Sequence, residues 1–373
     1  MIYLDSAATS LYRPAAVERA LVRAIRTLAN PGRGGHIPAM QAAEKVYACR
    51  EEAAALFRVP DPSRVVFTMN ATHGLNLAIH SLVKPGTKVL ISGFEHNAVT
   101  RPLFAAGADI RVAGRRLFDT EELLAAWEKS LSWADVAVCT CVSNVFGYIL
   151  PMKEIAALCR SRGVKLIVDA SQAAGLLPVH FDSLQAAFIA MPGHKGLLGP
   201  QGTGLLLCGE AGVPLLQGGS GAESRRQTMP ELLPEHLEAG TLNVCGIAGL
   251  LEGIRYVRER GEESILRHEQ MLLEKTVSIL NGSGLRLFTG EEHQSGVLSL
   301  LCPWMDCEEL AARLSERGVC VRAGLHCAPL AHESAGTLES GTLRMSFSPF
   351  SSVQEIEKAC ELLLETISQI KRN

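Results

Sequence analysis

The chain has 373 residues, too many for one small core, so the length indicates one large domain plus a smaller one. Hydrophobic residues make up 47% and charged residues 20%, which is typical of a well-packed globular enzyme and unlike a disordered or fibrous chain. The net charge is −3 and the Lys and Arg residues are scattered, which argues against nucleic-acid binding. No apolar run approaches the roughly 18 residues that cross a bilayer.

The first residues and the cysteines indicate the compartment. Residues 1–5 include no basic n-region and carry an acid where a signal peptide would be apolar, so we expect a cytoplasmic protein. The eleven cysteines lie mostly inside apolar runs, which favours buried thiols over a disulfide scaffold. Neither Cys139 with Cys141 nor Cys302 with Cys307 has a second pair or a His at zinc spacing, so no metal site is expected.

Strand-like and helix-like segments alternate from about residue 64 to residue 208. Short apolar runs predict strands at 65–67, 89–91, 135–141, 166–168, 188–190 and 205–208. Stretches with helical periodicity lie between them, such as 71–83 and 153–162. This alternation predicts an α/β fold in which helices cover both faces of a mainly parallel sheet.

The pattern changes beyond about residue 255. A long amphipathic helix is predicted at about 247–280, then short strands near 285–289, 296–301, 319–323 and 342–347, with helices near 307–317 and 352–371. We therefore expect a large domain at 31–255 and a small α+β domain at 256–373. Residues 1–30 are expected to form an N-terminal segment that contributes to the small domain and to the active-site entrance.

An acid and a lysine end two of the predicted strands. Asp169 follows the apolar run 165–168, and Lys195 lies in a Gly-flanked turn after the run 187–190. Open α/β sheets place their ligands at these strand ends. Pyridoxal phosphate chemistry needs such a pair, because the lysine forms a Schiff base with the cofactor and the acid keeps the pyridine nitrogen protonated. The spacing therefore favours a cofactor site over a solvated turn and a helix-capping Asp.

Further polar residues follow strands at the same end of the sheet. Thr72 opens the helix after the first predicted strand, where free N–H groups and the helix dipole suit a phosphate; a simple helix cap by Asn70 or Thr72 is the alternative. His96 follows the next strand and is either a surface histidine or a ring that stacks on the cofactor and moves protons. Asn144 is placed to donate to a ring substituent, and Gln172 to reach the phenolic oxygen.

Cys327 is the one cysteine outside an apolar run. It lies in a loop beside His326 and close to Arg322, and cationic neighbours favour the nucleophilic thiolate; an inert structural thiol is the alternative. Arg344 lies in the strand that follows this loop. A planar guanidinium suits bidentate capture of a substrate carboxylate, and an internal salt bridge is the competing account.

Together these residues resemble the fold-type I, class V aminotransferase-related family, and within it the NifS-like cysteine desulfurases and selenocysteine lyases. The similarity runs nearly end to end, through the segments 3–9, 30–36, 70–72, 95–97, 143–145, 169–172, 193–195, 240–241 and 322–327. The last segment is similar to the SUF-type branch, whose cysteine lies on an ordered segment. The resemblance implies a mainly parallel, seven-stranded-type sheet between helices, with a smaller α+β C-terminal domain.

The resemblance also implies how the cofactor, pyridoxal 5'-phosphate, would be held. Lys195 would anchor it, Asp169 would pair with the pyridine nitrogen, His96 would stack on the ring, and Asn144 and Gln172 would contact its oxygens. The phosphate would be bound by Ala71, Thr72, His194 and, from the other subunit of a homodimer, Thr241.

On the substrate side, the resemblance implies that Arg344, Asn144, Ala8 and His36 bind L-cysteine, or L-selenocysteine. Cys327 would attack its sulfur, giving alanine and a persulfide that a sulfur-acceptor protein would take up, or selenide from selenocysteine. The catalytic residues implied are Lys195, His96 and Cys327.

Two positions depart from the family pattern, and both concern cofactor affinity. Pro192 stands where a Ser or Thr is common, which removes a hydroxyl and an N–H group from the phosphate site, and Leu242 replaces the usual proline after Gly-Thr. The alternatives to a desulfurase are selenocysteine lysis, C–S lysis of cystine or cysteine, aminotransfer, which needs no thiol, and a non-catalytic sulfur-relay protein.

Overall fold

The structure is a computed structural model that describes residues 1–32 and 34–370. Arg33, in the 30–36 segment, and the last residue of the predicted helix 352–371 lie outside the described residues. In chain order the strands are β1 (Ile2–Tyr3), β2 (Val65–Thr68), β3 (Lys88–Ser92), β4 (Asp109–Ala113), β5 (Val136–Thr140), β6 (Lys165–Asp169), β7 (Phe188–Pro192), β8 (Gly204–Cys208), β9 (Arg286–Phe288), β10 (Val297–Leu301), β11 (Val319–Cys320), β12 (Arg322–Gly324) and β13 (Thr342–Ser346). The helices are α1 (Ala15–Thr27), α2 (Ile37–Phe57), α3 (Ala71–Leu82), α4 (Asn97–Ala105), α5 (Thr120–Leu131), α6 (Met152–Arg162), α7 (Phe181–Leu184), α8 (Val244–Arg260), α9 (Glu262–Leu280), α10 (Cys307–Glu316), α11 (Pro329–Ala335) and α12 (Val353–Ile370), and a 3-10 turn spans Pro62–Arg64.

The predicted α/β fold with a mainly parallel sheet is confirmed. Seven strands form one sheet in the order β2-β8-β7-β6-β5-β3-β4, in which β8 is antiparallel to both neighbours and the other paired strands are parallel. The six strands predicted from apolar runs are all present in it. The seventh, β4, was not predicted, because it lies at the sheet edge and alternates polar and apolar residues instead of forming an apolar run.

Alternating side chains of the sheet belong to two separate cores. In β6, Leu166 and Val168 pack into one core and Ile167 into the other. Helices such as α2, α5, α6 and α8 cover the first face, and α3 and α4 cover the second. Cys139 and Cys141 both belong to the first core, as their spacing predicts.

The C-terminal elements form a second sheet with its own core. Strands β12-β13-β10-β9 make an antiparallel sheet, and α9, α10 and α12 pack with it. Leu4 joins this core, and β1 pairs with β11 in a separate two-stranded sheet. Residues near the N-terminus are thereby attached to the C-terminal unit.

Two expectations on secondary structure are wrong in detail. The helix predicted at 247–280 is two helices, α8 and α9, because Gly261 between them has a φ of +82°, which helical backbone does not permit. The strand predicted at 319–323 is also two, β11 and β12, which belong to different sheets. The predicted domain boundary after residue 255 falls inside α8, and the division into domains stays a prediction. No helix in the described part of the chain is long and apolar enough to cross a membrane.

Candidate active site

Parallel strands bring most of the predicted site residues to one edge of the large sheet. Asp169 ends β6, Lys195 follows β7, Asn144 follows β5 and His96 follows β3, so all four lie beyond strand carboxyl ends. One cavity at this edge is lined by the predicted residues Ala71, Thr72, His96, Asn144, Asp169, Gln172, His194 and Lys195. The chain therefore assembles the predicted cofactor side chains around a single space.

The Asp169 carboxylate is buried and only half satisfied. Its Oδ1 accepts hydrogen bonds from the Ser171 backbone N–H at 2.9 Å and from the Ser171 hydroxyl at 2.5 Å. No group of the described residues donates to its Oδ2, although the residue is only 2% exposed. A carboxylate that lines a cavity and has one oxygen without a donor suits a ligand that presents a protonated nitrogen.

The Lys195 amine lies in the same cavity with its proton weakly held. Burial lowers the pKa of Lys195 to about 8, and the nearby Asp169 carboxylate offsets part of this effect. Arg344 and Arg322 add to the lowering, because each is a cation close to another cation. A larger fraction of neutral amine at neutral pH suits a lysine that attacks a carbonyl carbon.

The start of α3 leaves two donors for an anion. Asn70 caps this helix by accepting the His73 backbone N–H at 2.8 Å, so the capping interpretation of Asn70 is confirmed. That bond does not use the N–H groups of Ala71 and Thr72, the first two residues of the helix, and both residues line the cavity. Free N–H groups at a helix N-terminus suit a phosphate, so capping and anion binding are compatible here.

His96 is held as a neutral ring at the cavity wall. Its Nδ1 accepts the Ala98 backbone N–H at 2.9 Å, which places the proton of the neutral ring on Nε2. Burial lowers the pKa of His96 to about 4, with partial compensation by Asp169. A neutral, flat imidazole in a fixed orientation suits both stacking on a ring and proton transfer through Nε2.

Glu95, next to His96, was not assigned a role from the sequence. Its carboxyl is fully buried, accepts the Ser92 hydroxyl at 2.5 Å and the Thr140 N–H at 3.0 Å, and leaves its second oxygen without a partner. Burial raises the pKa of Glu95 to about 8. Glu95 joins the ends of β3 and β5. The one sequence feature that indicated a role for it is its position directly before His96.

Asn144 and Gln172 connect the cavity to two other parts of the chain. Asn144 Nδ2 donates to the His326 carbonyl at 2.8 Å, and Gln172 Nε2 donates to the Ala7 carbonyl at 2.9 Å. Each amide uses one of its N–H groups in this way. The turn that carries Cys327 and the N-terminal segment are therefore both attached to cavity side chains.

Cys327 is the one exposed thiol of the eleven cysteines. It lies in a turn in which His326 and Cys327 both have left-handed backbone, with φ of +48° and +57°. Such a conformation costs a residue with a side chain on the order of 1–3 kcal/mol. The turn is held because the Asn97 N–H donates to the Cys327 carbonyl at 2.7 Å, next to His96. Cys327 does not line the Lys195 cavity; the turn presents it to solvent beside the cavity wall.

Arg344 forms an internal salt bridge. The guanidinium is 1% exposed, its Nη2 donates to Asp5 Oδ1 at 2.7 Å, and its Nη1 donates to the Asn144 carbonyl at 2.8 Å. The competing account of a salt bridge is therefore observed. Capture of a substrate carboxylate by Arg344 stays a prediction. Its support is that the guanidinium contacts Asn144, which lines the cavity.

Three further predicted residues, besides Cys327 and Arg344, do not line the cavity in a single chain. Ala8 lies in the turn whose Ala7 carbonyl accepts Gln172, whereas His36 is exposed at the start of α2. Thr241 is exposed and lines a separate groove of about 1100 Å³. Of the two departures from the family pattern, Pro192 lines the cavity, and Leu242 packs against the first core.

Pyridoxal phosphate fits the donors present. The site offers a weakly basic buried amine for the aldehyde, an unsatisfied carboxylate oxygen for the ring nitrogen, a flat imidazole for the ring face and free helix N–H groups for the phosphate. Each of these four features is a property of this chain's own side chains and backbone.

Comparison with known proteins gives a consistent result. The family model described as Aminotransferase class-V matches residues 2–359. A protein of Methanothermobacter thermautotrophicus named probable cysteine desulfurase is 32% identical over 99% of this chain and 94% of its own length. One of Pyrococcus abyssi with the same name is 29% identical over 100% of this chain and 95% of its length.

Solved structures agree with these relatives. The apo structure of a cysteine desulfurase from Thermococcus onnurineus NA1 superposes with a TM-score of 0.90 at 30% identity, covering 99% of this chain and 95% of that one. The Escherichia coli cysteine desulfurase CsdA, in an S-sulfonic acid form, has a TM-score of 0.84 at 25% identity and covers 100% and 94%.

Proposed function

Because this chain belongs to the aminotransferase class-V family, we propose that it is a pyridoxal-phosphate-dependent cysteine desulfurase. It converts L-cysteine to L-alanine and receives the sulfur on Cys327 as a persulfide. The proposal is supported by relatives and structural neighbours named cysteine desulfurase that match nearly the whole chain. Members of this family use pyridoxal phosphate, which when bound withdraws electrons from the substrate carbon skeleton.

The cavity residues hold the cofactor. Lys195 supplies the amine that anchors it, Asp169 accepts from the ring nitrogen through its unsatisfied Oδ2, and Gln172 and Asn144 keep one N–H group each for the ring oxygens. The N–H groups of Ala71 and Thr72 would hold the phosphate, together with His194, which lines the same cavity. His194 Nδ1 lies 3.0 Å from the Thr9 hydroxyl, which orients that ring.

The substrate carboxylate is bound by Arg344, whose guanidinium contacts the Asn144 carbonyl, and Asn144 lines the same cavity as Lys195. Ala8 contributes from the turn beside it. Protons are moved by Lys195, whose pKa is lowered to about 8, and by the Nε2 of His96. The lysine has a pKa close to neutral pH, the neutral imidazole carries its one ring proton on Nε2, and both line the same space.

Sulfur leaves the substrate by attack of Cys327. The thiolate forms a bond to the substrate sulfur, the carbon–sulfur bond breaks, and its electron pair stays with the carbon skeleton, which takes up a proton and becomes alanine. The persulfide that results then passes to a sulfur-acceptor protein or a reductant. An exposed turn suits this second step, because the acceptor must reach the sulfur from solvent.

A homodimer completes the site. Apolar side chains are exposed on the adjacent helices α1 and α2: Ile25, Ile37, Met40 and Tyr47. His36 and Thr241 are exposed and do not line the cavity of their own chain, so we expect them to serve the site of the other subunit. Eleven reduced cysteines fit a cytoplasmic location.

The observation that carries the proposal is the position of Cys327. The one exposed thiol of the chain is held in a strained turn by Asn144, which lines the Lys195 cavity, and by Asn97, which follows the lining residue His96. The test is to incubate the purified protein with L-cysteine, with and without a reductant, and to assay alanine and sulfide. We expect equal amounts of both with reductant, and alanine with an added sulfur of about 32 Da on the Cys327 peptide after one turnover without reductant. Sulfide release at the wild-type rate by Cys327→Ser would indicate a direct C–S lyase instead.

A further inference from the structure

Arg344 is occupied by a carboxylate of its own chain. Asp5 Oδ1 accepts from its Nη2 at 2.7 Å, the Asn144 carbonyl accepts from its Nη1 at 2.8 Å, and its Nε is buried without a partner. The guanidinium is 1% exposed and does not line the Lys195 cavity. An external carboxylate therefore reaches Arg344 only if a neighbouring group moves.

The surroundings carry more positive than negative charge. Arg322 on β12 lies opposite Arg344 on β13, at a register position where cross-strand side chains are neighbours. Among the described residues the Arg322 side chain has no ion-pair partner, so this pair of neighbouring guanidinium groups has one bound carboxylate, that of Asp5 on Arg344. The excess of one positive charge favours the arrival of another anion.

Several hydrogen bonds fix the backbone of Asp5, whereas among the described residues its carboxylate is held by Arg344 alone. The flanking Leu4 donates its N–H to Cys320 and accepts from the N–H of Ser346, each at 2.8 Å. The Asp5 carbonyl accepts from the Tyr3 hydroxyl at 3.1 Å and from the Ala8 N–H at 3.1 Å. The Asp5 side chain is 21% exposed, so its carboxylate has a path to water that Arg344 lacks.

We propose that Asp5 is a placeholder for the substrate carboxylate: it neutralises Arg344 in the unliganded protein and rotates into solvent when a carboxylate substrate binds. This proposal rests on the proposed function, in which Arg344 binds the α-carboxylate. The placeholder keeps a buried cation paired at all times, since an unpaired buried charge is costly. Asp5 and the substrate carboxylate then compete for Arg344. The apparent affinity for a carboxylate is therefore the intrinsic affinity multiplied by the fraction of protein in which the Asp5–Arg344 pair is open.

The matched substitution is Asp5→Asn, which keeps the shape and removes the charge. We expect the KM for L-cysteine and the inhibition constant of 3-mercaptopropionate to fall about 10-fold, because a charge-assisted hydrogen bond no longer competes. The change appears in KM and not in kcat. Inhibition by cysteamine, which has the thiol and amine of cysteine but no carboxylate, stays constant. Asp109→Asn, with the same charge change on the exposed edge strand β4, is the control and alters none of these values.

A measurement independent of turnover uses acetate. Asp5→Asn leaves Arg344 without its counter-ion, so acetate should raise the Tm of this variant clearly more than that of the wild type, and Arg344→Gln should cancel the difference. A higher KM in Asp5→Asn, or equal acetate effects on variant and wild type, would overturn the placeholder and make Asp5 a fixed support of Arg344. If the wild type forms no alanine from cysteine but acetate still rescues Asp5→Asn, the desulfurase proposal fails and the placeholder stands.

Discussion

We expect Cys327→Gly to make the protein more stable and inactive at the same time. The backbone at Cys327 has a φ of +57°, a conformation that costs a residue with a Cβ roughly 1–2 kcal/mol and costs glycine little. Glycine also gives the unfolded chain more conformational freedom, which reduces the gain in stability by roughly 0.4–1 kcal/mol. The Cys327 side chain is exposed and forms no packing contact in the cores. The free energy of unfolding should therefore rise by about 0.5–1 kcal/mol.

The assay combines thermal unfolding at fixed protein and cofactor concentrations with alanine and sulfide measurements on the same preparations. Cys327→Ser keeps the Cβ and the backbone strain, so its stability should stay within about 0.5 kcal/mol of the wild type while persulfide formation is lost. Gln185→Gly is the control, because Gln185 has a φ of +48° at the exposed end of α7 and does not line the Lys195 cavity. It should gain stability and keep full activity.

Three results would each refute part of this reasoning. A loss of 1 kcal/mol or more in Cys327→Gly would mean that the side chain stabilises the turn instead of being strained in it. Sulfide release at the wild-type rate in both Cys327 variants would remove the thiol from the mechanism. If Gln185→Gly is stabilised and Cys327→Gly is not, the backbone at Cys327 is not the strained position of its turn.

The other predictions concern the cofactor, the substrate and pH. Borohydride should trap a pyridoxyl group on Lys195 in the wild type and on no residue in Lys195→Ala; a label on another lysine would contradict the assignment. Asp169→Asn should fold normally but turn over more slowly, since the ring nitrogen loses its anionic partner, and unchanged turnover would exclude Asp169. Arg344→Lys keeps the charge but loses the fork, so kcat/KM for cysteine should fall about 10-fold or more; near-normal kinetics would leave only the salt bridge with Asp5. Burial lowers the pKa of His332 from 6.5 to about 4 in the folded protein. Between these two pH values the unfolded chain binds a proton at His332 that the folded protein does not bind, so Tm should fall as pH drops from about 6.5 to about 4. His332→Gln should flatten this slope, and an unchanged slope measured by calorimetry would assign it to other groups.

Local sequence determined the elements that carry the site. Apolar runs bounded by turn residues predicted six of the seven strands of the large sheet, because a strand buried on both faces must be apolar along its length. Polar residues directly after those runs, such as Asp169, His96 and Asn144, were predicted to meet at one edge and do line one cavity. The signal is local, since parallel strands present their carboxyl ends on the same side whatever their order.

Tertiary structure decided the features that depend on residues far apart in the chain. Asp5 and Arg344 are 339 positions apart, and only the pairing of the N-terminal segment with β13 brings them together. The left-handed turn at Cys327 is kept by the Asn97 N–H, which belongs to a helix on the large sheet. No periodicity or spacing encodes such contacts, because each is a hydrogen bond or ion pair between groups whose neighbours in sequence carry no trace of it. The sequence by itself therefore predicted eight side chains that line one cavity, and the packing of the two sheets decided which of the candidate residues are paired, strained or exposed.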